Sequence, residues 1–269
     1  MDAKQFCSCT DTKCPCHPVN HDRGCAPCVQ KNLRQKEIPS CFFHDIDYEK
    51  PTKNWHYEDF AALVDAAGLN SHMPMDAMTA ILTRRSTRQM RPDVPERELI
   101  CKVIEAGRYA PSGSNSQSTH FLVITKPDVL DSLAVLVRKA FARMEIGEDA
   151  YISLRHSVAA SRKGDYIFHY NAPVLIVTAN KKGYGNAIAD SACALQNMML
   201  AAHAQGLGSC WINQLHWLDE ESTIRSFLEP LGLGTDETIT GGLILGYRQN
   251  SEPAKPLSRT GNPVTWIEE

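Results

Sequence analysis

The sequence predicts a mixed α and β fold, helices packed on a central sheet, preceded by a small cysteine-rich module. Three observations carry this expectation. PVLIVTA at 173–179 and TITGGLILGYR at 238–248 are apolar runs of strand length, the first of them continuous, as expected of buried strands. Ahead of them and between them lie segments whose apolar residues recur at helical spacing. Seven of the ten cysteines fall within the first 41 residues.

The 269 residues are enough for one sizeable core and a small extra module. A formal net charge of −3 and a pI near 6.4 argue against nucleic acid or an anionic membrane surface as the main partner. No apolar run approaches membrane-spanning length and the N-terminus has no apolar signal core, so a soluble, cytoplasmic protein is expected.

Residues 1–45 carry C-x-C-x4-C-x-C-H, then C-x2-C, then I-P-S-C-F-F-H. With no secretion signal, clustered thiols point to metal rather than to disulfides. Cys7, Cys9, Cys14, Cys16, Cys25, Cys28 and Cys41 are therefore candidate ligands. His17, His21 and His44 are additional candidates, His17 foremost because it adjoins Cys16. Zinc is the expected metal and an iron–sulfur cluster the alternative, since the spacing is neither that of a standard finger nor that of the bacterial ferredoxin run. Aliphatic side chains are too few for a core, so folding is expected to depend on metal. The segment ends in a Pro-x-Cys-Phe-Phe signature and is similar to a small cysteine-rich module of unassigned function.

Residues 46–73 read as a linker with one short helix, marked by Phe60, Leu63 and Val64 and ended near 68–70. Pro74 is expected to open the main domain, 74–269. Its first helix places Met75, Met78, Ile81 and Leu82 on one face and ends in Arg84, Arg85 and Arg88. A second puts Leu99, Ile100, Val103 and Ile104 on one stripe and stops at Gly107 and Pro111. A strand at 120–125 follows, then a helix from Pro127 with Leu130, Leu133, Val137, Ala140 and Phe141 on one side. Residues 145–170 are mixed in character. The segment 187–206 is helical and apolar nearly all round (Ile188, Ala192, Leu195, Met199, Ala202), which requires burial in the fold or at a dimer interface. Cys101, Cys193 and Cys210 sit among apolar or small residues and read as buried small hydrophobes.

Two clusters carry chemistry. The arginines at the first helix's end offer fixed charge and forked donors, which suit a phosphate. The loop APSGSNSQ at 110–117 offers many donors and acceptors in little volume, with a glycine that lets the backbone approach a flat ligand. The pair, RRSTR at 84–88 and APSGSNSQ at 110–117, resembles the FMN-dependent nitroreductase family. The likeness extends over 74–269 through DSACALQNMMLAAHAQGLGSCWI at 190–212 and the basic tail. It implies an α+β nitroreductase-like fold, a central and mostly antiparallel sheet packed with helices, in a homodimer with FMN at the interface.

On this resemblance Arg84, Arg85, Ser86 and Arg88 meet the flavin phosphate and ring edge, with Lys255 and Arg259 closing on the phosphate. Pro111, Ser112, Gly113, Asn115 and Gln117 meet the ring and ribityl chain. Ile212 and Asn213 lie beside the ring, the Asn213 backbone N–H near flavin N5. No side chain is expected to be catalytic: the flavin takes hydride from NAD(P)H and passes two electrons to a nitroaromatic, quinone or similar small-molecule acceptor in a ping-pong cycle. The alternative is a redox-relay or sensor flavoprotein in which the cysteine module carries a cluster or binds a partner. Ser118-Thr119, where the family often has Pro-Trp, and Met90, where it often has an aromatic, bear on substrate preference.

Overall fold

The computed structural model describes residues 9, 11–46, 55–67, 75–250 and 255–268. The chain divides into two compact units, Met1–Pro74 and Met75–Glu269. Cys7, Pro74 and the helix end expected at 68–70 lie outside the described residues.

In the first unit α1 (Ala26–Gln35) begins with Pro27 in its first turn and closes on Lys36 in the left-handed conformation. It is followed by α2 (Ser40–Ile46) and α3 (Tyr57–Ala66). Phe43 of α2 is 1% exposed, and the rings of Trp55 and Phe60 meet it edge-on, each at 5.2 Å. The Ile38 N–H donates to the Trp55 carbonyl (2.7 Å) and Glu37 bridges His56. The helix expected within a linker is thus packed against the module, and large aromatic rings supply the burial that a count of aliphatic residues misses.

The second unit is a four-stranded sheet of β1 (His120–Ile124), β2 (Val174–Lys181), β3 (Leu207–Ile212) and β4 (Glu237–Tyr247). Their order is β1-β2-β4-β3 and every pairing is antiparallel. Two helices, α5 (Arg97–Arg108) and α8 (Ala187–Ala204), cover one face, where Val103, Leu195 and Met198 meet Ile176 and Leu243. The other face is covered by α6 (Pro127–Arg143), α7 (Ile152–Lys163) and α9 (Ser222–Leu228). Buried on both sides, β2 and β4 explain why their sequences are apolar runs rather than alternating ones. All five apolar positions expected of α6 are buried. Among the described residues no helix is long and apolar enough to cross a membrane.

Two expectations are corrected, the start of the first helix and the burial of two cysteines. The short helix α4 (Ala77–Thr83) starts after Asp76, whose carboxylate accepts the Thr79 N–H (3.0 Å) as an N-cap. Its apolar stripe is open: Met78, Ile81 and Leu82 are 59%, 49% and 49% exposed in the single chain. On α8, Leu195, Met198 and Ala202 are buried in the core, while Ile188 is 59% exposed in the single chain. Cys101 and Cys193 are exposed rather than buried, because each lies on the outer side of its helix; Cys210 is buried as expected.

Candidate functional site

The arginine motif leaves α4 as an extended strip. Arg84 turns out of the helix, and the strip then runs beside β3: Ser86 bridges Ser209 in parallel and the Thr87 N–H donates to the Ser209 carbonyl (2.9 Å). Gly208 permits this approach, since a Cβ there would stand 2.8 Å from Thr87 Cγ2. Farther along, the Arg91 N–H donates to the Tyr247 carbonyl (2.9 Å) and Met90 bridges Arg248.

Positive charge converges at the start of the strip. Arg84 Nη1 is buried and has no hydrogen-bond partner among the described residues. Burial first, then the nearby Arg85 and Arg259 charges, holds the Arg84 guanidinium below its usual pKa. Arg85 donates to the carbonyls of Leu82 (3.0 Å), Arg84 (2.7 Å) and Lys255. Arg84, Arg85, Lys255 and Arg259 are therefore neighbours. A half-buried guanidinium with one buried, unpartnered nitrogen, crowded by like charges, is costly, and an anion in this place relieves both burdens. Ser86 and Arg88 lie exposed beyond it, the Arg88 guanidinium 5.7 Å from the Tyr170 ring centroid.

The second motif is the approach to β1. Pro111 is exposed, Ser112 and Gly113 half-buried, and Asn115 and Gln117 exposed. Ser114, Asn115 and Gln117 have φ of 52°, 54° and 49°. Left-handed conformations at residues other than glycine cost roughly 1 kcal/mol or more each and persist only where neighbours over-determine them. The neighbours here are specific. Ser112 Oγ accepts the Gln117 N–H (3.0 Å), and Asp190 of α8 accepts the Gly113 N–H with both carboxylate oxygens (3.1 and 3.2 Å). Ser118 donates to Asn180 Oδ1 (2.9 Å), which ties the loop's end to β2.

The structure brings the two arginines and the tail together, and it keeps the loop residues together, but it does not join the two groups within one chain. The strip borders β3 and the loop feeds β1, the opposite edges of the sheet. Three inter-strand spacings, about 14 Å, separate those edges. Ile212, buried, and Asn213 lie at the C-terminal end of β3, which by register is the same end of the sheet as the start of β1. Asn213 Oδ1 accepts from the Trp211 indole N–H (2.7 Å), which fixes its side chain.

Three contributors escaped the sequence reading. Asp190 was hidden because a carboxylate in a helix's first turn needs no further explanation. Arg248 lines a cavity of about 460 Å³ with Arg85, Ser86 and Arg88, and it donates to the Leu207 carbonyl (3.2 and 3.1 Å) and to His203. His203 is buried in the last turn of α8. Only its position three residues before Gly206 could have flagged it, as a helix-terminal histidine.

Among the described residues no three His, Cys, Asp or Glu side chains gather as a group that could hold a metal ion. His17 is buried with both ring nitrogens engaged, Nδ1 accepting the Val19 N–H (3.2 Å) and Nε2 lying 3.2 Å from the Cys9 carbonyl, so neither is open to a metal in this arrangement.

Known proteins agree with this geometry. The model of the nitroreductase family matches residues 81–247, and that of a domain of unknown function (DUF6485) matches residues 1–68. A 4-nitrobenzoate reductase of Nocardioides sp. (strain LMS-CY) is 29% identical over 222 residues, 71% of this chain and 88% of that protein. A nitrobenzene nitroreductase of Ectopseudomonas oleovorans is 26% identical over 207 residues, 66% of this chain and 89% of that protein. The crystal structure of a nitroreductase with bound FMN from Bacteroides fragilis NCTC 9343 superposes with a TM-score of 0.64 at 30% identity, covering 72% of this chain and 100% of that one. With its four-stranded antiparallel sheet, its helices on both faces and its arginine strip along β3, the chain belongs to the nitroreductase family.

Proposed function

We propose that the second unit binds FMN non-covalently and, as a homodimer, passes electrons from NAD(P)H to a small nitroaromatic, quinone or similar acceptor in a ping-pong cycle. The observation that carries this reading is the buried, unpartnered Arg84 Nη1 among Arg85, Lys255 and Arg259, a place built for an anion such as the flavin phosphate. The bound flavin supplies the hydride chemistry; the residues of the chain bind and orient it. Ser86 then joins Arg84 and the basic tail on the phosphate, Arg85 and Arg88 attend the phosphate and ring edge, the Asn213 backbone N–H with Ile212 attends the ring, and Pro111, Ser112, Gly113, Asn115 and Gln117 cover ring and ribityl chain.

The separation of strip and loop makes a second copy necessary to this reading, with the loop of one protomer meeting the strip of its partner. The open apolar faces of α4 and α8 support such a contact. For the first unit we propose metal binding, zinc rather than an iron–sulfur cluster, on the density of thiols alone. Metal and acid-labile sulfide analysis of anaerobically purified protein tests it: iron with sulfide favours the relay reading, and the absence of both zinc and iron sinks the metal.

Titration of the apoprotein with FMN tests the main reading. Arg84→Ala removes a charged donor, a loss of about 1.5–3 kcal/mol or about 10- to 150-fold in Kd. Unchanged affinity would sink the assignment.

A further inference from the structure

We propose that Asp190, with Tyr184, is the positioning latch of the flavin loop: it holds residues 113–117, with the left-handed Ser114, Asn115 and Gln117, in place before any ligand arrives. The proposal rests on the flavin-site reading of that loop. Asp190 is 7% exposed and reaches the loop from the first turn of α8. Its Oδ1 and Oδ2 both accept the Gly113 N–H, Oδ2 accepts the Tyr184 hydroxyl at 2.9 Å, and Ser116 Oγ stands 3.4 Å from Oδ2. The Tyr184 oxygen also lies 3.2 Å from the Gly113 carbonyl and 3.2 Å from Ser116 Oγ. Its single proton goes to the carboxylate, the shorter and charge-assisted contact.

The latch is built tightly. A Cβ at Gly113 would stand 2.6 Å from the Tyr184 oxygen and 2.2 Å from Asn186 Nδ2, so a larger residue there would have to displace both side-chain ends, Tyr184 among them. The bonds fall on the loop's first turn, immediately before Ser114 and Asn115 and ahead of Gln117, the residues at positive φ. An unfavourable backbone is thereby pinned at its N-terminal side by Asp190, while Ser112 and Asn180 pin the remainder. A cavity of about 140 Å³ lies beneath, bounded by Pro111, Ser112, Gln117, Phe121 and Asp190, so the loop has little packing under it to hold it otherwise. A loop set in advance spends less of the ligand's binding energy on ordering.

A carboxylate in this turn also complements the helix dipole, and that role alone would make Tyr184 irrelevant. The test uses the full chain as Asp190→Asn, Asp190→Ala and Tyr184→Phe, with two readouts: amide hydrogen exchange across 112–119 in the apoprotein, and FMN Kd. Expected are faster exchange confined to 112–119 in all three, and FMN Kd raised about 10-fold by Tyr184→Phe or Asp190→Asn and more by Asp190→Ala. Tyr184→Phe keeps the ring and leaves the helix carboxylate in place, so it reports even where Asp190→Ala does not fold. Exchange and Kd equal to wild type in Tyr184→Phe overturn the latch. Wild-type protein that binds no FMN overturns the flavin reading and the latch's purpose together, whereas wild type that binds with unchanged variants overturns the latch alone.

Discussion

His203 Nε2 stands 2.7 Å from Thr83 Oγ1, while its Nδ1 accepts from Arg248. Thr83 passes its own proton to the Thr79 carbonyl (2.6 Å), so the chain of bonds runs one way and requires a neutral imidazole. Burial, then Arg248, Arg84 and Arg85, pushes the His203 pKa from 6.5 down to about 4. Between those values the unfolded chain binds a proton that the folded chain refuses, so stability falls as pH drops through this window. His169, buried and likewise depressed chiefly by burial, acts in the same direction. Urea unfolding of the apoprotein at pH 7.5, 5.5 and 4.5 should show this decline, and His203→Gln should flatten it. An equal slope in the variant would remove His203 as its source.

Gly208→Ala should weaken FMN binding without unfolding the sheet, because the new methyl would press Thr87 and lift the arginine strip from β3. Thr87→Ser deletes Cγ2, the nearer of two clashing atoms, but keeps Cβ at 2.9 Å, so the double variant should regain part of the loss. A double-mutant cycle on FMN Kd is expected to give a coupling of about 1 kcal/mol. Additive effects would mean that the strip's position is set elsewhere.

Asp219 and Arg225 form a buried pair, with side chains 10% and 12% exposed and 3.1 Å apart. Asp219 also accepts the Thr238 hydroxyl (2.5 Å) and the Ile239 N–H (2.8 Å), and Arg225 donates to the Gly234 and Glu237 carbonyls (3.0 and 3.2 Å). Arg225→Ala leaves a carboxylate buried and short of its charge, at a cost of about 3 kcal/mol. Arg225→Lys should recover little, because a point charge cannot replace the fork that reaches both carbonyls. Denaturant midpoints of the two variants check this.

An aspartate at Ile188 or Leu82 should yield monomer. Both side chains are about half exposed or more in the single chain. Sedimentation equilibrium reads the outcome, and a variant that remains dimeric with full flavin would place the interface on another surface.

Periodicity made the layered core legible. Leu130, Leu133, Val137, Ala140 and Phe141 are all buried because a helical stripe of that width can only face inward on a folded domain. At α4 the same rule found the helix but not what its apolar face meets, since spacing identifies a face and not its cover. Strand order was the larger blind spot. Arg84 and Gly113 are close in sequence, yet the pairing of β2 with β4 and of β4 with β3 sends their segments to opposite sheet edges, and such pairings are long-range. Asp190 stayed unread because its partners lie 77 and 74 residues away, at Gly113 and Ser116. In the first unit Phe43 of the cysteine-rich segment packs against Trp55 and Phe60 of the segment after it, rings that a count of aliphatic residues leaves out.

That strip and loop occupy opposite edges of one chain has a genetic reading. On the dimer geometry each pocket draws half its parts from each subunit, so a strip-defective chain and a loop-defective chain are both inert when expressed singly. Co-expressed, they pair at random; the mixed dimers then contain one pocket assembled wholly from sound halves and one from broken halves. About a quarter of all pockets should be restored, which is intragenic complementation from two null alleles. A site confined to one chain would restore none.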